Sequence, residues 1–244
     1  SFPEESFWLL GISGLNDWHR LQASLPDQTS QAFPYSGIYI IRDSWDPDTD
    51  LGFFRCGAFG LGGEGRCSHA HCDLLSPLLW VKGKELLVDS GTYAYYGPWR
   101  NYFRLMNAHN VLMVDGREQA DPLLHFGWES IPQAECLGWE GKKVTGALRL
   151  ASDLRQIREL AHPLSGVWEI TDSVEGAGIH ELCWFFHFAP PLSLSFNGDS
   201  QGVIVEENGS PFVSVAQPER VRLEIKSGWY SPNYGQKKRN PLLI

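Results

Sequence analysis

Residues 69–73 read HAHCD, inside the run GEGRCSHAHCDLLSPLLWVKGKELLVDSGTYAYY. Two imidazoles two positions apart, with a carboxylate two further on, are residue types that ligate metals and move protons near neutral pH. If the run is extended, side-chain alternation projects His69, His71 and Asp73 to one face. That patch suits a metal centre, with imidazole as ligand and a carboxylate as ligand or orienting group. It equally suits an acid/base site or the solvated face of a polar strand. Gly60, Gly62, Gly63 and Gly65 just before it let a backbone pass close to another group. Cys67 and Cys72 flank the histidines, so thiolate ligation is an option, although their spacing is not that of a zinc finger.

Asp89 closes the apolar run ELLVD before Ser90-Gly91. It is either a turn former or a ligand or substrate contact. A simple hairpin turning at Gly83-Lys84, within Lys82-Gly83-Lys84, sets Asp89 opposite Leu78. Asp89 therefore reaches His71 only if the chain bends between Asp73 and Pro77, where the proline interrupts regular pairing. His109, in NAHN, is a third histidine for the same cluster, as a ligand or as a satisfied structural residue. The segment GTYAYYGPWRNYFR gathers Tyr93, Tyr95, Tyr96, Trp99, Tyr102, Arg100 and Arg104. Rings on a loop suit the flat faces of sugars, and arginines suit a carboxylate or sulfate. The competing expectation is an ordered loop packed onto the body of the domain. His187 sits in an apolar strand and is expected in the core or at an edge. His19, His125, His162 and His180 carry no signal. There is no nucleophile elbow, phosphate loop or dinucleotide fingerprint, and GLGGEG lacks the strand–turn–helix setting and the lysine.

These residues need a scaffold. The 244 residues are 43% hydrophobic and 13% aromatic, ample for a core. From Tyr35 onward, short β-branched runs alternate with turn clusters, which predicts an all-β fold, a large antiparallel β-sandwich. Residues 1–34 predict short helices over EESFWLLG and GLNDWHRLQASLP followed by a linker. A net charge of −9 argues against nucleic-acid or anionic-membrane partners. It leaves room for an acidic sugar held by a few local cations. No run approaches the roughly 20 apolar residues of a membrane helix. Five cysteines in no disulfide-scaffold spacing are expected mostly as thiols, with a single pair open. The chain opens without an initiator Met or a signal peptide and is expected to be a piece of a longer protein.

HAHxD, LLVDSGTY, RNYFR and AHNVLMVDG in that order, with the ending SGWYSPNYGQKKRNPLLI, resemble the C-terminal domain of the heparinase II/III-like polysaccharide lyases over most of residues 36–244. The resemblance implies a β-sandwich over 35–244 that follows an N-terminal helical toroid, with 1–34 as linker or as the toroid's tail. It implies β-elimination on an acidic, uronic-acid-containing polysaccharide, a class that includes heparan sulfate, heparin and alginate. It makes His69 and a loop tyrosine, Tyr95 or Tyr96, catalytic, beside a Tyr and an Asn or His that the toroid supplies. It implies a structural Zn2+ held by His71, Asp89 and His109. Tyr93, Trp99, Arg100 and Arg104 are the expected substrate contacts. The family implies a periplasmic or secreted bacterial location. The alternatives are a carbohydrate-binding domain without chemistry and a purely structural sandwich.

Overall fold

The computed structural model describes residues 4–22, 24–60, 67–150, 153–198 and 202–244. Gly62, Gly63 and Gly65 lie outside them. The two expected N-terminal helices lie within α1 (Glu4–Arg20), separated where Gly11 leaves helical geometry with a φ of 64° and a ψ of −160°. None of its residues is buried. The sheet begins earlier than Tyr35, because β1 (Gln31–Phe33) already pairs with β2 (Ile38–Arg42). With β3 (Leu51–Arg55), β4 (Pro77–Val81) and β5 (Lys84–Leu87) these strands form a five-stranded antiparallel sheet in chain order.

The β4–β5 hairpin turns at Lys82 (φ 49°) and Gly83 (φ 74°), both left-handed as a tight primed turn requires. After β5 come α2 (Pro98–Arg104), a 3-10 turn (Met106–Ala108) and β6 (Leu112–Val114). A small ribbon, β7 (Pro122–Leu123) and β8 (Gly127–Trp128), leads into a four-stranded meander. Its strands are β9 (Gln133–Trp139), β10 (Lys143–Arg149), β11 (Arg155–Leu164) and β12 (Val167–Glu175). Then β13 (Leu182–Trp184) returns to pair with β6. The remaining strands are β14 (Phe186–His187), β15 (Leu192–Phe196), β16 (Gly202–Glu207), β17 (Ser210–Ala216), β18 (Ile225–Asn233) and β19 (Gln236–Leu243). Of these, β15–β17 form a second meander, and the β18–β19 hairpin takes β14 on its free edge.

The fold is all-β with antiparallel sheets, as the alternation predicted. Strand β3 shows the one-sided pattern, with Gly52 and Phe54 buried between half-exposed neighbours. Ile41, Phe54 and Leu79 of the first sheet join Val144, Leu148 and Leu160 of the meander and Val203 and Val205 of the second meander in one apolar cluster. Two buried polar residues bind this core to the chemistry-bearing segments. Arg158 on β11 forms a bidentate pair with Asp172, at 2.8 Å to each oxygen, and its Nη1 donates to the carbonyls of Leu75 and Asn110. The Asn110 side chain donates to the carbonyls of Pro77 and Val88 and accepts the His187 N–H. The start of β4, the end of β5 and the approach to β6 are thereby fixed to one another.

Candidate functional site

HAHCD is not a strand. Residues 67–76 run as turns and irregular backbone, so the shared face that alternation gives an extended run does not form. The segment is held from outside. Trp128 Nε1 donates to the Cys67 carbonyl and Arg100 to that of Ser68. The Cys72 N–H donates to the Arg104 carbonyl at the end of α2, and the Leu74 backbone makes a two-way bond with the Gln119 amide. The bend required between Asp73 and Pro77 is present: the Ser76 N–H turns back to the Asp73 carbonyl and Leu75 takes φ 63°.

As a result the three polar side chains separate. Asp73 pairs with Arg55. His71 turns to His109, with ring centroids 5.3 Å apart. His69 is exposed and meets Tyr95 edge-to-face at 5.3 Å.

His71, Asp89 and His109 bring one ligand atom each within 4.8 Å of the others. Asp89 closes the turn and reaches His109 with one carboxylate. Oδ1 accepts the Gly91 N–H at 2.7 Å, closing the turn, while Oδ2 lies 2.7 Å from His109 Nδ1. Gly91 is required there, since its φ is 80° and a Cβ would sit 2.5 Å from the Ser231 carbonyl oxygen.

The electrostatics follow from burial and pairing. Burial, with His109 alongside, pushes His71 down to about 3, so it is a neutral imidazole. Burial raises Asp89, but the neighbouring His109 outweighs it and holds the carboxyl at about 2. Burial lowers His109, and Asp89 overturns that and raises it above 6.5. Among the described residues, His109 Nε2 is buried without a hydrogen-bond partner. Two imidazoles and an ionised carboxylate, one nitrogen of them unsatisfied, are a donor set that fits zinc.

The loop before α2 divides the expected substrate contacts. Tyr95, not Tyr96, lies beside His69; Tyr96 is exposed and packs on His125 and Phe126 at 5.5 and 5.4 Å. Tyr93 stacks on Phe103 at 5.6 Å, and Trp99 meets Trp229 at 5.4 Å.

The expectation that Arg100 and Arg104 reach substrate is corrected: both are 0% exposed. Arg100 bridges Ser68 to the His125 carbonyl, and Arg104 holds the carbonyls of Leu124 and His125. They are the buried side of α2, and they build the loop that the site rests on.

Nothing in the residue pattern singled out His125, whose carbonyl both arginines use, nor Gln119 and Tyr234. Nor did that pattern single out the second cluster, Asp43, Asp50 and His162. There the polar atoms are already spoken for: Lys142 pairs with Asp43, the N–H groups of Lys82 and Gly166 with Asp50, and the Val167 carbonyl with His162. His187 is buried, as expected, with Nε2 on the Asn107 carbonyl.

A sequence model of the heparinase II/III-like C-terminal family matches residues 25–243. The chain belongs to that family. A heparin-sulfate lyase of Bacteroides stercoris is 22% identical over 223 residues, covering 87% of this chain and 31% of the relative. The crystal structure of a heparan sulfate lyase from Pedobacter heparinus superposes over 99% of this chain and 36% of its own, with TM-score 0.76 and 18% identity. A heparinase III structure superposes with TM-score 0.74 at 14% identity, covering 40% of its length. This heparinase II/III-like chain therefore spans well under half of each of these relatives. The structures share its sandwich.

Proposed function

We propose that this chain is the β-sandwich domain of a polysaccharide lyase that cleaves an acidic, uronic-acid-containing polysaccharide by β-elimination, together with an N-terminal helical domain of the same protein. The observation that carries this reading is the contact of the exposed His69 ring with Tyr95, two proton-transfer groups side by side on a loop fixed from behind by Arg100. The names of the relatives, lyases of heparin sulfate and heparan sulfate, support the reaction class.

In β-elimination a base takes the proton from the carbon bearing the carboxylate, the bond from the next carbon to the bridging oxygen breaks, and that oxygen takes up a proton. A new carbon–carbon double bond remains and no water is consumed. His69 neutralises the sugar carboxylate or moves a proton at it, which stabilises the charge that builds there. In this reading the Tyr95 phenol protonates the leaving oxygen, its contact with His69 being the supporting observation. Arg100 and Arg104 act by holding the loop. Incubating the full-length protein with a panel of acidic polysaccharides should release products that absorb in the ultraviolet through the conjugated double bond. Binding of the same polymers without such a product would favour a carbohydrate-binding domain instead.

We propose further that His71, Asp89 and His109 hold a structural zinc, the orphaned His109 Nε2 and the neutral His71 being the observations in favour. Zinc there would tie the HAHCD segment and the 3-10 turn to the end of β5. His71→Ala should abolish stoichiometric zinc in elemental analysis of the purified chain.

The pH dependence has a definite sign. His109 carries a proton that Asp89 favours, and a ligating nitrogen must lose its proton. Zinc retention should therefore weaken as pH falls through the raised value of His109, while His71, already neutral, adds no competition. Equilibrium dialysis between about pH 5 and 8 reads this directly, and pH-independent retention across that window would contradict the ligand set.

A further inference from the structure

The β18–β19 hairpin carries two cations that the site described above does not use. The register sets Trp229 opposite Arg239 and Tyr230 opposite Lys238. Alternation then places Trp229, Lys237 and Arg239 on one face and Tyr230 and Lys238 on the other. The side chains follow that division. Arg239 lies 3.7 Å from the centre of the Trp229 ring and Lys237 Nζ lies 4.6 Å from it. Lys237 also lies 4.2 Å from the Trp99 ring and 5.1 Å from Tyr93. Lys238 sits apart, over Tyr230 at 5.6 Å.

Among the described residues, Lys237 and Arg239 face rings and no carboxylate pairs with either. Unpaired cations are unexpected in a chain with 29 acidic and 20 basic residues. Cation–π contact holds each in place, but two positive groups against one indole repel each other, and an anion relieves that repulsion. Lys237 is half-buried and Arg239 is exposed, so the face is open to solvent.

The same hairpin is stitched to the His69 loop. The Gly235 N–H donates to the Tyr93 carbonyl at 2.7 Å. The Tyr95 N–H points at Tyr234 Oη at 3.4 Å, and the Tyr95 and Tyr234 rings are 5.6 Å apart. A linear polyanion lying across His69 and Tyr95 therefore runs on over Tyr234 towards the Trp229 face. That face offers what an acidic sugar needs: indole surface for the ring, a guanidinium fork and an ammonium for its anionic groups.

We propose that Lys237, Arg239 and Trp229 form a subsite for the carboxylate or sulfate groups of an acidic polysaccharide, flanking the His69–Tyr95 pair. This rests on the acidic-polysaccharide reading above and deepens it. The test is binding, not turnover. Isothermal titration calorimetry of the 244-residue chain would use a sulfated uronate oligosaccharide and an unsulfated oligouronate at several salt concentrations.

Lys237→Ala and Arg239→Ala should each weaken binding about tenfold, as loss of a charge-assisted contact does, and flatten the salt dependence. Lys238→Ala, on the opposite face, should bind as wild type, and Lys237→Arg should restore affinity. Loss confined to the sulfated ligand identifies sulfate as the group held; equal loss on both identifies carboxylate. Wild-type affinity in the Lys237 and Arg239 variants, or an equal loss in Lys238→Ala, overturns the subsite, as does a wild-type chain that binds neither ligand. If the full-length protein gives no unsaturated product while the binding pattern holds, the lyase reading fails and the subsite stands.

Discussion

Replacing His69 by Ala in the full-length protein should lower turnover of the acidic polysaccharide proposed as its substrate by about 10²–10⁴-fold, the range expected when a positioned proton-transfer group is removed. Zinc content and melting temperature should be unchanged. The separation of these readouts follows from the geometry. His69 is exposed and packs on Tyr95, whereas the metal-capable cluster is formed by His71, Asp89 and His109. Tyr95→Phe keeps the ring that packs on His69 and Tyr234 and removes the hydroxyl, so it should lose turnover with little change in substrate affinity. Tyr96→Phe should be nearly silent, since Tyr96 packs on His125 and Phe126 instead. Near-normal elimination by His69→Ala would remove this residue from the mechanism.

The second large effect is on stability. Arg158→Ala should destabilise the domain by about 3–5 kcal/mol, the loss seen when one partner of a buried ion pair is removed. The Arg158 side chain is fully buried and that of Asp172 only 5% exposed. Truncation leaves the carboxylate with Gln156 and Trp184 as its remaining donors and takes the Arg158 bonds from the carbonyls of Leu75 and Asn110. Native domains are stable by only about 5–15 kcal/mol, so this is a large fraction of the total. Removing both charges with Arg158→Met and Asp172→Leu should cost less than Arg158→Ala alone, because no isolated charge remains buried. Denaturant unfolding measures both, and a loss below about 1 kcal/mol for Arg158→Ala would show that the pair does not brace the site.

Much of the architecture was readable. Alternating β-branched runs gave the antiparallel sheets, and Lys82-Gly83-Lys84 marked the hairpin, although its turn falls at Lys82-Gly83, with Val81 opposite Lys84, one residue before the expected Gly83-Lys84. The bend after Asp73 could be required on paper, because no regular hairpin register brings Asp89 to His71. What could not be read was the state of HAHCD. Its backbone is set by Trp128, Gln119 and the end of α2, partners 32 to 61 positions away along the chain, and such contacts override local alternation. The arginines of PWRNYFR misled for a related reason. An arginine in an aromatic loop has the same letter whether it meets solvent or a buried carbonyl, and here α2 turns both inward. Asn110 and Arg158 were not singled out because each sits among other polar residues, in NAHN and LRQIREL, and its partners are brought in by the fold.

The most direct measurement is the mass of any oligosaccharides released when the full-length protein is incubated with the acidic polysaccharide proposed as its substrate. β-Elimination leaves an unsaturated uronate at the new non-reducing end, so each such fragment should be lighter by one water than the corresponding hydrolysis product, and that signal should vanish with His69→Ala. Fragments carrying the added water, or intact polymer under conditions where the oligosaccharides bind, would contradict a lyase built on His69 and Tyr95.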